Sequence, residues 1–316
     1  MWRTAGTIVA TAALLAVAVP AGDAGAAPVI SCGSVVTRSL TLQADLADCK
    51  GDGLIVGKAG ITIDLNGHTI SSPAVHTSAF LTVPGSAGIR NAGYPRVKIV
   101  NSGGFSWMGG FAASIVLTDA NRNVITGVSA LDGVWLERSD NAQIRNSDFS
   151  PHLDNGFTAC DPYTSPAGIH LQDSNRAIIR GNTSWVGGLG FVLIRSNNNL
   201  LQANAADRRG HDGNDCTGIT LLDSDFNTLR NNDTSENNGD GIFVDAASQQ
   251  TLIDGNHAEY NYDDGIDVEN ASTTIINTTT YYSRDLAIEA VPGVTASNNK
   301  AVGSGNPLTC LNVVCT

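Results

Sequence analysis

The chain has 316 residues, a formal net charge of −12 with only 18 Lys plus Arg, 34 Gly and six Cys. That acidity argues against nucleic acid as a partner, because phosphate binding needs a cationic surface; a polyanionic ligand would need a local basic patch or a bound cation. Frequent Gly and the lack of any lasting apolar stripe of 3.6-residue spacing exclude a helical protein.

Met1 to Ala26 has the pattern of a secretory signal: Arg3, an apolar run from Ile8 to Val19, and the small-residue site Ala24-Gly25-Ala26. Its removal takes Arg3 and Asp23 together and leaves the net charge at −12. No later stretch approaches the roughly 18 uninterrupted apolar residues of a membrane span, so the mature chain is expected to be soluble, secreted and monomeric. In an exported chain six cysteines pair most simply as three disulfides. Proximity joins Cys32 to Cys49 and Cys310 to Cys315, which leaves Cys160 for Cys216. Residues 27–52 and 300–316 are expected to be disulfide-bearing caps around a repeat region spanning 53–299.

From Ser34 to Leu46 an imperfect alternation suggests an opening strand or cap. Near Gly53, GLIVGKAGITIDLNGHTI gives two alternating runs ended by Asn66-Gly67. The clearest unit is Gly168 to Asn182, GIHLQDSNRAIIRGN, which recurs after 22 residues as GFVLIRSNNNLLQAN and after a further 28 as GITLLDSDFNTLRNN. Looser copies begin at Gly133, Gly241 and Gly265. In each copy two apolar residues alternate on one side of a strand, an Asn/Asp/Ser turn follows, and a second apolar pair begins another strand. One such unit buries too little apolar surface to offset its chain entropy, so units must stack at about 4.8 Å per layer. The predicted core pairs are Val134 and Leu136, Ile169 and Leu171, Phe191 and Leu193, Ile219 and Leu221, Ile242 and Val244, Ile266 and Val268. Asn182, Asn204, Asn232 and Asn256 share one turn position and are expected to form a ladder. Arg145, Arg180 and Arg230 share a column on the second strand.

With that repeat, the chain resembles the right-handed parallel β-helix proteins of the pectate-lyase-like superfamily over roughly Gly53 to Asn299. Asp64-Leu65-Asn66-Gly67-His68-Thr69-Ile70 is similar to a first-coil sequence common among secreted members. The resemblance implies an all-β, right-handed parallel β-helix solenoid of about nine to eleven coils. It also implies a carbohydrate-active protein, since relatives include polysaccharide lyases, glycoside hydrolases and uronan epimerases; fold alone does not choose among them.

Two insertions, SDFSPHLDNGFTACDPYTSPA and ADRRGHDGNDCT, precede the first strands at Gly168 and Gly218. They are expected on one edge of the solenoid, two layers apart, tied by Cys160 and Cys216. Beside them the outward positions run Trp135 and Glu137, His170 and Gln172, Val192 and Ile194, Thr220 and Leu222, Phe243 and Asp245, Asp267 and Glu269; the apolar middle of this column must be covered by the loops or by a ligand. In a lyase or epimerase acting on an acidic, uronate-containing polysaccharide, His170 or His211 would take the proton, Arg208 or Arg209 would neutralise the carboxylate, and Asp161 would orient the base. Trp135, Tyr163, Arg195 and Asp215 would bind the sugar. Asp161-Pro162-Tyr163 resembles the Asp-Pro-His motif of mannuronan epimerases in its first two residues. Asp240-Gly241 and Asp263-Asp264-Gly265 resemble the acidic strand entries of polygalacturonases, which would make the chain a hydrolase; Asp263 would widen the 5 Å layer spacing towards that of inverting enzymes. Asp240, Asp263, Asp264 and Asp267 alternatively recruit Ca²⁺. A non-catalytic module that binds glycan or protein is the remaining reading.

Overall fold

The computed structural model describes residues 30–73, 85–150, 160–185, 188–207 and 216–316. The signal-like segment, and with it the expected cleavage site, lies outside the described residues. The described chain is a parallel β-solenoid of about 11 turns with no helix. One side is a 12-stranded sheet running from Ser34–Val36 to Cys310–Leu311, and a second is an 11-stranded sheet from Leu40–Thr41 to Thr295–Ser297. Short strands such as Thr183–Trp185 and His257–Glu259, joined by single bridges, complete the third side. Every strand pairs with its counterpart one turn away, so strand order follows coil order. Pairing already begins at Ser34, which lies in register with Leu54.

The alternation read from the repeats fixes which residues face inward. Val134, Ile169, Phe191, Ile219, Ile242 and Ile266 form one column in unbroken register, and all are at most 2% exposed. Gly218 and Gly241 are obligatory for a packing reason. A Cβ on either would lie 2.8 Å or less from the carbonyl oxygen of the next coil and from an Asn side chain inside the turn.

The turns are held by ladders. The backbone N–H of Asn182 donates to Asn204 Oδ1 (3.0 Å), that of Asn204 to Asn232 (3.0 Å) and that of Asn232 to Asn256 (2.9 Å). Each side-chain amide also donates to a carbonyl of the preceding coil, so buried polar groups are satisfied along the axis. A second ladder escaped the repeat analysis: Ser139, Ser174, Ser196, Ser224 and Ser248 each accept, through Oγ, from the backbone of the coil before. All three disulfides, Cys32–Cys49, Cys160–Cys216 and Cys310–Cys315, are formed as expected.

Candidate functional site

The outer face of the 12-stranded sheet is divided. Its middle is covered: Trp135, His170, Val192 and Thr220 are each at most 5% exposed although they point away from the core. Val192 and Ile194 pack with Ala167, Leu189 and Cys160, the last held to Cys216 by its disulfide. Cys160 and Cys216 lead into strands two layers apart, as the shared-edge expectation required. The bodies of the insertions, with Arg208, Arg209, His211 and Asp215, lie outside the described residues.

His170 stacks on Trp135 with ring centroids 4.0 Å apart. Neither of its ring nitrogens has a hydrogen-bond partner among the described residues, and burial pushes its pKa down to about 3, so the imidazole is neutral at physiological pH. Asp161 caps a turn: its Oδ1 accepts from Tyr163 N (2.8 Å), and its backbone carbonyl accepts from Ser165 N (2.8 Å). Tyr163 is exposed. Arg195 makes a two-pronged ion pair with Asp173 one coil earlier, at 2.8 and 2.9 Å. The structure therefore brings Trp135 and His170 together, while Asp161 and Arg195 are each committed to local partners.

Further along the same face the character changes. Phe243, Asp267 and Glu289 follow Thr220 in register, and the turns entering these strands carry Asp240, Asp263, Asp264 and Asp285. Two overlapping groups, Asp240 with Asp263 and Asp264, and Asp264 with Asp285 and Glu289, each present carboxylate oxygens within 4.8 Å of one another. The stacking itself fixes two of them. Asp240 Oδ1 accepts from Asp264 N at 3.0 Å, and Asp264 Oδ1 accepts from Leu286 N at 2.6 Å.

Those hydrogen bonds favour the ionised form, but burial and like charge win. Burial, then Asp263, Asp267 and Glu289, push Asp240 up to about 7. Burial, then Asp240, Asp263 and Glu289, push Asp264 up to about 8. Burial, then Glu289, Glu269 and Asp263, push Asp267 up to about 7. Among the described residues no Lys or Arg pairs with Asp240, Asp264 or Asp267. Asp264 is buried, Asp240 and Asp267 are half-buried, and Asp263 is exposed. An oxygen of Asp263 lies within the same 4.8 Å, inside the ~6.5–9.5 Å that separates the carboxyls of inverting hydrolases. Asp285 and Glu289 went unnoticed in the sequence because their coil enters through Leu286-Ala287 in place of Asp-Gly, so it lacks the glycine that marks the other repeats.

A family model described as Periplasmic copper-binding protein (NosD) matches residues 114–281. No curated protein sequence matches the chain. Among solved structures, a variant of the periplasmic alginate epimerase AlgG is similar with a TM-score of 0.63 at 12% identity, covering 88% of this chain and 73% of that one. DFA-IIIase from Arthrobacter chlorophenolicus A6, in complex with DFA-III, is similar with a TM-score of 0.61 at 10% identity, covering 84% and 72%. At such identities the likeness is one of fold.

Proposed function

We propose, for a chain that belongs to the NosD family of right-handed β-helix proteins, a carbohydrate-active role exercised by the carboxyl cluster of Asp240, Asp264 and Asp267. The observation that carries this reading is that three carboxyls on two adjacent coils are held at about 7 to 8, so that a protonated acid and an ionised neighbour coexist near neutral pH. Asp240 and Asp267 reach the surface, where one can protonate a glycosidic oxygen while the other supports positive charge on the sugar. Asp264, buried beside them, is itself pushed up by burial and by the charges of Asp240 and Asp263. Solved β-helix structures that act on carbohydrate support the substrate class, and three disulfides fit an oxidising compartment outside the cytosol.

The copper named in the family description does not suit the donors found among the described residues. Copper favours imidazole and sulfur, yet all six cysteines are in disulfides and Met108 is core. His68 and His257 contact Asp45 and Glu259, while His170 is buried against Trp135. The side chains that converge among the described residues are carboxylates, which suit a hard cation such as Ca²⁺.

A second reading, lyase or epimerase chemistry on a uronate polymer with His170 as base, is favoured by imidazole nitrogens beside Trp135 that have no hydrogen-bond partner among the described residues. Product analysis on pectate, alginate and neutral oligosaccharides separates the two. New reducing ends without unsaturation, lost in Asp240→Asn with Asp267→Asn and retained in His170→Asn, support the carboxyl site. Unsaturated ends or changed epimer ratios that depend on His170 support the second reading, and absence of any product from the wild type would sink both.

A further inference from the structure

The outer face of the 11-stranded sheet carries a different arrangement. Arg145 and Arg180 stand opposite each other on adjacent strands, followed in the same column by Gln202 and Arg230. In the neighbouring outward column Ile178 lies beside Leu200. Arg145, Asn146, Ile178, Arg180, Leu200 and Gln202 line a cleft of about 540 Å³.

The two leading arginines stand opposite each other without the carboxylate that five others hold, a lack that Arg38, Arg96, Arg122 and Arg284 share among the described residues. Arg90, Arg138, Arg176, Arg195 and Arg230 each hold a carboxylate, on Asp52, Asp119, Asp140, Asp173 and Asp254 respectively. Among the described residues Arg145 has no such partner: its Nη2 donates to Gln143 Oε1 at 2.7 Å, while its Nε is buried with no hydrogen bond to any of them. Arg180 is exposed and makes no side-chain hydrogen bond or ion pair among the described residues. Two guanidinium groups one layer apart, about 4.8 Å in backbone spacing, repel each other, and a buried donor without an acceptor adds a further cost. In a chain with net charge −12, no described carboxylate pairs with either of these two facing guanidinium groups.

We propose that this cleft binds a carboxylate-bearing saccharide, with uronate groups bridging Arg145 and Arg180 and the sugar ring resting on Ile178 and Leu200. Guanidinium forks match carboxylates in pairs, and Asn146 and Gln202 offer amides to hydroxyl groups. A bare phosphate or sulfate would use the cations and leave the apolar floor idle, so the floor argues for a ring. The site lies on a different sheet from the carboxyl cluster. It shares with the proposed function only the assumption that the partner is a carbohydrate.

The test is titration calorimetry of the mature protein with oligogalacturonate, a neutral oligosaccharide of equal length, and inorganic phosphate. Oligogalacturonate should bind with an affinity that falls as salt rises. The neutral chain and phosphate should each bind at least tenfold more weakly. Arg180→Gln should weaken uronate binding about tenfold, and Arg145→Gln with Arg180→Gln should abolish it without lowering Tm. Asp240→Asn with Asp267→Asn should retain this binding, so loss of turnover in that variant bears on the carboxyl site alone. Unchanged affinity in the double arginine variant, phosphate binding as tight as oligogalacturonate, or no binding of oligogalacturonate overturns the proposal.

Discussion

Replacing Asp264 by Asn removes a charge from the carboxyl cluster while keeping an oxygen for the Leu286 N–H, now 2.6 Å from Asp264 Oδ1. Asp264 is 4% exposed, and burial followed by its acidic neighbours raises its pKa from 3.8 to about 8. A carboxyl with a raised folded pKa binds its proton more tightly when folded, so ionisation opposes folding. The penalty is absent below about pH 4, grows as pH rises, and is complete above about pH 8. A shift of that size corresponds to at most about 6 kcal/mol. Asn still buries a polar side chain and gives up the hydrogen bond that the protonated carboxyl shares with Glu289, so the substitution should recover about 2 kcal/mol, or about 4 to 8 °C in Tm. Thermal unfolding of wild type and Asp264→Asn in EDTA between pH 4.5 and 9 measures it. The two curves should nearly meet at pH 4.5, diverge up to pH 8 and run parallel above. A constant offset across the whole range, or a variant less stable at pH 9, would refute the account of repulsion at this cluster.

Calcium should act on the same charges. The oxygens of Asp240, Asp263 and Asp264, within 4.8 Å of one another, can lie on one shell of Ca²⁺, whose ligands stand at about 2.3–2.6 Å. At pH 8, calcium at about a hundred times its Kd should raise wild-type stability by about 2.7 kcal/mol and leave Asp264→Asn nearly unmoved; a wild-type Tm equal in calcium and EDTA removes the site. In the turns, Asn204→Ala should cost about 3 kcal/mol in denaturant unfolding, because it strips the acceptor from Asn182 N and the donor to Ile179 O in a buried ladder. A cost below about 1 kcal/mol would mean that water replaces the ladder.

How much of this was legible follows from what is periodic. Alternation and repeat spacing are local properties, so Val134 to Val268 could be placed in the core and Asp240 beside Asp264 from the sequence alone. The Asn182–Asn256 ladder was equally visible, since Asn is costly to bury without partners and recurs at one place. The serine ladder was not, because Ser is common in any turn and carries no pattern until the register is known. Burial was the harder quantity. The alternation with Ile169 and Leu171 puts His170 on the outer face, but outward does not mean exposed there. The same distinction governs the acidic coils. A column of Asp residues can be read from spacing, yet what turns it into a store of protons is depth, supplied here by the tight turns at Gly241 and Gly265 and by Glu289 from a coil that breaks the repeat. The chemistry of a solenoid thus sits where its periodicity lapses. At Leu286-Ala287 the pattern gives way, Glu289 joins the acids of the preceding coils, and repulsion that a regular repeat would have spread along the axis is gathered at one place.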